Sequence, residues 1–202
     1  MATTRTYGDG CAIARALDVV GERWALLVVR ELLLGPKRYT DLRHGLTNAS
    51  PNVLAERLRE LEHAGVLRRR TLPPPAASRV YELTERGREL EGVVIALGHW
   101  GGRIAGGAPV RSADSVVLSL RARRIPGELR GRYELRAGDD RFRIELADGA
   151  ITAARGSAER PDATIEADPG TLDAVLRGRR PLTDAKIEGD AAAVEHLIRA
   201  LG

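Results

Sequence analysis

Apolar residues in the first half of the chain recur every three or four positions, which is the spacing of an amphipathic helix. The clearest stripe is formed by Leu54, Leu58 and Leu61. It follows Ser50 and Pro51, which suit a helix cap and the first helical position, because the N–H that proline lacks would be unbonded there anyway. The same spacing predicts further helices over residues 11–20, 22–34, 39–46 and 84–100.

Two short runs follow the helix that begins at Ser50, over residues 66–72 and 79–83, with three prolines at 73–75 between them. Both runs suit β-strands, and a proline cluster suits the stiff tip of a hairpin. Successive strand residues point to opposite faces, so Arg68 and Arg70 share one face and Arg69 takes the other. Helix, hairpin and arginines in this order predict a winged helix-turn-helix domain.

The second half of the chain has a different pattern, with short runs of alternating polarity separated by hairpin signals at 138–140 (Gly-Asp-Asp) and 148–149 (Asp-Gly). The predicted strands are 115–120, 129–135, 141–147, 150–155 and 163–167, and the predicted helices are 169–176 and 191–201. This order predicts a small α+β sheet domain with its helices at the end. The glycine-rich run at 101–109 is the predicted boundary between domains 1–107 and 108–202.

Composition places the chain among globular proteins, with 43% hydrophobic and 30% charged residues. No apolar run approaches the ~20 residues of a membrane span, and the N-terminus lacks an apolar signal core, so a cytoplasmic location without a membrane partner is expected. Residues 1–107 hold 16 basic and 12 acidic side chains, whereas 108–202 hold 16 of each. The positive excess therefore lies in the predicted winged helix, as binding to a polyanion requires.

The helix that begins at Ser50 offers the candidate base-reading side chains. A helical wheel centred on its leucine stripe leaves Asn52, Glu56 and Arg59 pointing away, with Arg57 on one flank. Asparagine can bond adenine and arginine can bond guanine through two hydrogen bonds each. The alternative is an ordinary solvated surface helix. The complete set of predicted DNA contacts is Lys37, Arg38, Ser50, Asn52, Val53, Glu56, Arg57, Arg59, Arg68, Arg70 and Arg79.

Residues 11 to about 105 resemble the HxlR family of winged helix-turn-helix transcriptional regulators. The resemblance is carried by Cys11 ahead of A-L-D-V-V-G-E-R-W, by L-L-V-V-R-E-L-L-L-G-P-K-R-Y, by L-R-E-L-E-H-A-G-V-L-R-R-R and by Y-E-L-T-E-R-G-R-E-L. It implies a homodimer formed through the first and last helices of the domain, acting as a repressor on a two-fold symmetric operator. It also implies a role for Cys11 as an oxidant sensor; the alternative is a small residue packed at the dimer contact.

Residues 113–202 resemble a sterol-carrier-protein-like domain. The carrying residues are Asp-Gly at 148–149, the run R-P-D-A-T-I-E-A-D-P-G-T-L-D-A-V-L-R-G and the ending I-E-G-D-A-A-A-V-E-H-L-I-R-A-L, while that family's opening helix is not predicted. The resemblance implies a cavity for a hydrophobic small molecule; the alternative is a plain apolar core. The candidate lining residues are Tyr133, Phe142, Leu172, Val175, Leu176, Ile187, Val194 and Leu197.

Catalytic chemistry finds no support in the sequence. The four histidines lack metal-ligand spacing, and none lies near Cys11 or a plausible serine nucleophile, so no enzyme activity, metal or cofactor is expected. Three functions stay open: a DNA-binding regulator with a hydrophobic effector, a thiol sensor using Cys11, and a lipid carrier whose winged helix serves only for dimerisation.

Overall fold

The computed structural model describes residues 6–75, 77–102, 104 and 112–201. The chain divides into two compact units, Met1–Val94 and Ile95–Gly202. The boundary predicted at 107/108 lies outside the described residues. No described helix combines the length and the apolar character that crossing a membrane requires.

The first unit has the predicted order of helices followed by a hairpin. Its stripe of Leu54, Leu58 and Leu61 is fully buried and forms the centre of one apolar core together with the preceding helices. The elements are α1 (Ala12–Val20), α2 (Ala25–Leu32), α3 (Tyr39–Gly45), α4 (Pro51–His63), β1 (Leu67–Thr71), β2 (Arg79–Leu83), α5 (Glu85–Arg88) and α6 (Glu91–Gly101), which begins in this unit.

Two predicted helices of this unit differ from the structure. The helix predicted over 22–34 begins only at Ala25, because Trp24 adopts a left-handed backbone conformation with φ +80°. The helix predicted over 84–100 is divided into α5 and α6, since the N–H of Leu90 bonds the carbonyl of Gly87 in a tighter turn. Gly87 itself permits close packing, because a Cβ there would lie 2.0 Å from the Val66 carbonyl oxygen.

The wing is a two-stranded antiparallel hairpin in which Leu67 pairs with Leu83 and Thr71 pairs with Arg79. A backbone bridge extends it: Lys37 and Tyr81 exchange two hydrogen bonds, of 3.0 and 2.8 Å between nitrogen and oxygen. The segment between α2 and α3 therefore pairs with β2. This bridge attaches the wing to the helical part of the unit.

The second unit is an α+β domain, as predicted, and it is built on one five-stranded sheet. The strand order is β5-β4-β3-β6-β7, in which β3 and β6 are parallel and the other neighbours antiparallel. The elements, apart from the remainder of α6, are α7 (Ala113–Arg121), β3 (Gly131–Ala137), β4 (Asp140–Ala147), β5 (Ala150–Arg155), β6 (Ala163–Glu166), α8 (Pro169–Leu176), a 3-10 turn (Leu182–Asp184), β7 (Lys186–Gly189) and α9 (Ala191–Leu201).

Two elements of this unit were predicted wrongly or missed. The strand predicted over 115–120 is the helix α7, whose N-cap Ser112 accepts a hydrogen bond from the Ser115 N–H. A helix therefore precedes the sheet, where the sequence pattern predicted none. Strand β7 was not predicted; it is four residues long and is held by its ladder with β6.

The two faces of the sheet differ in chemistry because strand residues alternate between them. One face is buried and carries Tyr133, Leu135 and Ile165. The opposite face, called the open face here, carries a network of ion pairs between Glu134, Arg136, Arg141, Glu166, Lys186 and Glu188. One face therefore supplies the core and the other a charged surface.

Candidate nucleic-acid interface

Helix α4 presents the predicted polar side chains to solvent. The Ser50 hydroxyl accepts a hydrogen bond from the Val53 N–H at 3.4 Å, and Pro51 occupies the first turn. Asn52 and Arg59 are exposed, whereas Val53 is half-buried. Glu56 is exposed as well. Since Leu54, Leu58 and Leu61 are fully buried, packing fixes which side of α4 carries these polar groups.

Arg57 does not belong to that exposed side. It is only 7% exposed, and its guanidinium lies against Glu60 and, at 3.9 Å, against Glu22 in the segment before α2. The structure therefore does not present Arg57 for the predicted base contact, because its charged end is held within the unit. Arg59, two residues further on, keeps the exposed position.

Lys37 is also buried, contrary to its predicted role as a phosphate contact. Its ammonium lies 2.6 Å from the Glu31 carboxylate, which is itself 0% exposed and is shared with Arg30 at 2.7 Å. The neighbouring Arg38 is exposed, and its backbone N–H donates to Asp41 at the start of α3. A glutamate within the apolar stripe of α2 was the sequence signal for this buried network, because a buried carboxylate needs a cationic partner.

The wing has the predicted alternation of arginines. Arg68 and Arg70 lie on one face and share Glu82, at 2.7 and 3.0 Å, yet keep 64% and 45% of their side chains exposed. Arg69 lies on the other face, paired with Glu62 at 2.9 Å and stacked 5.5 Å from the Tyr81 ring centre. Arg79 is exposed near the hairpin tip.

Eight of the predicted contacts are therefore exposed in the structure, on the start of α3, on α4 and on the wing. They are Arg38, Ser50, Asn52, Glu56, Arg59, Arg68, Arg70 and Arg79. Other exposed polar residues of the helix-turn-helix were not among the predicted contacts, for example Arg43 in α3 and Asn48 in the turn before α4. Basic and amide groups on exposed elements are suited to phosphate oxygens and base edges.

Cys11 lies at the N-cap of α1 and is exposed. The backbone amides of Ile13 and Ala14 lower the pKa of its thiol, because N–H groups at a helix start stabilise the thiolate. An exposed thiol with a lowered pKa is chemically available to oxidants and electrophiles.

The predicted cavity residues of the second unit belong to its core. Seven of them are buried, Tyr133, Phe142, Leu172, Val175, Leu176, Val194 and Leu197, and Ile187 is partly exposed. The Tyr133 hydroxyl donates to the Ala193 carbonyl at 3.1 Å, and burial together with Asp162 and Asp190 raises its pKa. Within the described ranges, no three His, Cys, Asp or Glu side chains gather where they could hold a metal ion.

A helix-turn-helix followed by a basic hairpin defines a winged-helix protein. Residues 19–107 match the family model described as HxlR-like helix-turn-helix. The HTH-type transcriptional regulator YvaP of Bacillus subtilis is 36% identical over 86 residues, which cover 43% of this chain and 80% of that protein. YodB, an HTH-type transcriptional regulator of the same organism, is 35% identical over 85 residues, covering 42% and 76%. The chain belongs to the HxlR-like helix-turn-helix family of transcriptional regulators.

Two solved structures are also similar. The redox regulator HypR in its oxidized form is 30% identical, with a TM-score of 0.45, and the match covers 48% of this chain and 100% of that one. The reduced form of YodB from B. subtilis is 32% identical, with a TM-score of 0.42, and the match covers 48% and 98%. The family match ends at residue 107. Residues 112–201, which carry the five-stranded sheet, lie outside it.

Proposed function

We propose that this regulator binds DNA sequence-specifically, with α4 as the recognition helix in the major groove. The observation that carries the proposal is the division of α4 into a fully buried leucine face and an exposed side with Asn52 and Arg59. A buried face fixes the direction of these side chains, and both residue types can form paired hydrogen bonds with base edges. Arg57, being buried, is left out of the proposed base readers.

The wing supplies contacts of a different kind in this proposal. Arg68, Arg70 and Arg79 are exposed on a hairpin, where they reach phosphate oxygens. Contacts to phosphates raise the affinity for all sequences and make it depend on salt. Arg38 and Ser50 take the same role at the starts of α3 and α4.

The proposed regulator acts as a homodimer and a repressor on a two-fold symmetric operator. Large apolar side chains remain exposed on α1, at Ile13 (70%) and Leu17 (41%), and on α6, at Leu97 (47%) and Trp100 (62%). Exposed apolar side chains on helices favour burial against a second copy. Sedimentation equilibrium of the full chain tests this: a dimer is expected, and a monomer at every concentration would contradict it.

The DNA-binding proposal is tested by a titration of the chain's own upstream DNA against scrambled DNA. Asn52→Ala is expected to remove about 1–3 kcal/mol of discrimination between sequences. Arg79→Ala is expected to weaken binding to both DNAs and to reduce the salt dependence. Arg88→Ala removes an exposed arginine of α5, outside α4 and the wing, and serves as the control. Unchanged binding by both Asn52→Ala and Arg79→Ala would overturn the contact assignment.

The second unit is proposed to be a sterol-carrier-like domain that binds a hydrophobic effector. Its opening helix, sheet and closing helices support this assignment, and the buried side chains around Tyr133 and Phe142 would line the site. An effector changes DNA binding only if it prefers one conformation of the protein. A fluorescent fatty acid titrated against the full chain is expected to bind and to shift the DNA affinity. Absence of binding would leave these residues as a plain core.

A thiol sensor is a second candidate, favoured by the exposed Cys11 at the start of α1. Oxidation or alkylation of this thiol would be the signal, and Cys11→Ser would abolish it. Because the thiol pKa is lowered, the alkylation rate is expected to titrate with a midpoint below that of an ordinary thiol. DNA binding that is unchanged by oxidant, with no thiol adduct and no intersubunit disulfide on non-reducing gels, would contradict the sensor.

A further inference from the structure

Asp173, a carboxylate on α8, has more than one guanidinium group close to it. It is 6% exposed; Arg177 donates to its Oδ1 at 2.7 Å, and Arg179 donates to its Oδ2. Arg123, which follows α7, interacts electrostatically with Arg177 and Asp173. Burial and the neighbouring charge of Arg177 lower the pKa of its guanidinium, whereas the Asp173 carboxylate raises it. Two guanidinium groups therefore bind one carboxylate, and a third interacts with it electrostatically.

One further arginine adjoins these three and completes an arginine cluster, defined as Arg123, Arg177, Arg179 and Arg180. Arg180 donates to the Thr171 hydroxyl at 3.3 Å and lies 3.7 Å from Asp184. The side chains of Arg179 and Arg180 keep 62% and 55% of their area exposed. The described pairs thus provide two carboxylates, Asp173 and Asp184, for four arginines.

Local stabilisation explains only part of this cluster. A cation at the end of a helix is favourable because of the carbonyl groups there, which accounts for Arg177 at the end of α8. Arg179 and Arg180 lie beyond that helix and are largely exposed. Residues 108–202 hold equal numbers of acidic and basic side chains, so the cluster is a local concentration rather than a general surplus. A concentrated positive surface of this kind attracts a polyanion.

We propose that the arginine cluster binds the phosphate backbone of duplex DNA, as a second contact in addition to the winged helix. Guanidinium groups match phosphate oxygens with paired N–H donors, and two of these guanidiniums stand largely in solvent. DNA is favoured over other polyanions because the same chain carries the exposed side of α4 and the wing, so this inference rests on the proposed function. The contact adds affinity without sequence preference.

The test measures the affinity of the full chain for random-sequence duplex DNA across a salt series. The double variant Arg179→Gln/Arg180→Gln is expected to bind about tenfold more weakly at low salt, with a salt slope smaller by about 0.9 for each lost phosphate contact. The matched control is Arg132→Gln/Arg143→Gln, which removes two exposed arginines from the open face of the same unit. It is expected to leave the salt slope unchanged and to change the affinity less than about twofold at 0.15 M salt, where charges more than about 8 Å apart are largely screened.

The possible outcomes separate this inference from the proposed function. An Arg179/Arg180 variant with wild-type affinity and slope would overturn the inference, while loss of sequence preference in Asn52→Ala would still support the winged-helix reader. A wild-type chain that binds no duplex would overturn both. Binding of anionic lipid vesicles that the variant loses, with an unchanged DNA slope, would assign the cluster to a membrane surface instead. If circular dichroism shows that the double variant is unfolded, the single variant Arg180→Gln replaces it in the test. The expected decrease in its salt slope is half of that expected for the double variant.

Discussion

The wing and the open face of the sheet both place arginines around a buried glutamate, but they balance charge differently. In the wing, Arg68 and Arg70 share Glu82, and both arginines remain about half exposed or more. On the open face, Arg136 and Arg141 share Glu134, and Arg136 also meets Glu188 at 3.2 Å. Surplus arginine leaves a positive surface for an outside anion, whereas a balanced network stabilises the fold. The same residue types therefore leave an exposed positive surface in one region and form a charge-balanced network in the other.

The largest expected effect comes from the open face. Glu134→Gln replaces a carboxylate that is 2% exposed and that accepts hydrogen bonds from Arg136 and the Ala158 N–H. An amide there leaves buried groups poorly paired, so the free energy of unfolding is expected to fall by about 2–3 kcal/mol. Urea denaturation followed by circular dichroism measures this. Glu145→Gln, an exposed residue of the same face, is the control with a change of at most about 0.5 kcal/mol.

Glu134 also gives this stability a pH dependence. Burial alone would raise its pKa, but hydrogen bonds from Arg136 and the Ala158 N–H outweigh burial and hold the pKa below its ordinary value. A carboxyl group with a lowered folded-state pKa stabilises the fold above its unfolded pKa of about 4.3, and this stabilisation is lost as the pH falls through the folded pKa. Glu134→Gln is expected to flatten the stability curve over that acidic range. An unchanged acid profile would contradict this account.

A smaller effect separates two arginines of α4. Arg57→Ala removes a buried side chain that contacts Glu60 and Glu22, so the unfolding free energy is expected to fall by about 1–2 kcal/mol. Arg59→Ala changes an exposed side chain and is expected to weaken DNA binding while altering stability by at most about 0.5 kcal/mol. Thermal unfolding and DNA titration of both variants give the comparison. If Arg57→Ala instead kept the wild-type stability but lost the preference between DNA sequences, Arg57 would be a base reader.

The smallest effect tests the surplus charge of the wing. Glu82→Gln removes the shared acceptor of Arg68 and Arg70, whose exposed ends then return to water, so stability is expected to change by about 1 kcal/mol or less. Affinity for DNA is expected to rise about threefold at low salt, because the positive field of the wing increases. A fall in affinity would instead mean that Glu82 positions the arginines for binding.

The sequence was most informative where one buried stripe determines an element. Leu54, Leu58 and Leu61 predicted both the existence of α4 and which side of it is exposed. The burial of Arg57 was not predicted, because the edge of a stripe does not show whether a flanking side chain meets solvent or a partner; of its two partners, Glu60 is local, whereas Glu22 lies 35 positions earlier. Such a long-range ion pair has no local signature.

The error at α7 has a different physical cause. Val116, Val117, Leu118 and Leu120 are all buried, and only Ser115 and Ser119 form a narrow, partly exposed polar stripe, so the valine-rich run suits a strand equally well. Packing of α7 against β5 decides in favour of a helix, and the ion pair between Asp114 and Arg155 at 2.6 Å belongs to this contact. Tertiary contacts of this kind override the local preference of the residues.

The bridge between Lys37 and Tyr81 couples the position of the wing to that of α2. Two backbone hydrogen bonds join Lys37, in the segment after α2, to β2, and the Lys37 ammonium is bound by Glu31 within α2 itself. A rotation of α2 that preserves the buried ion pair and both hydrogen bonds therefore moves the hairpin with it.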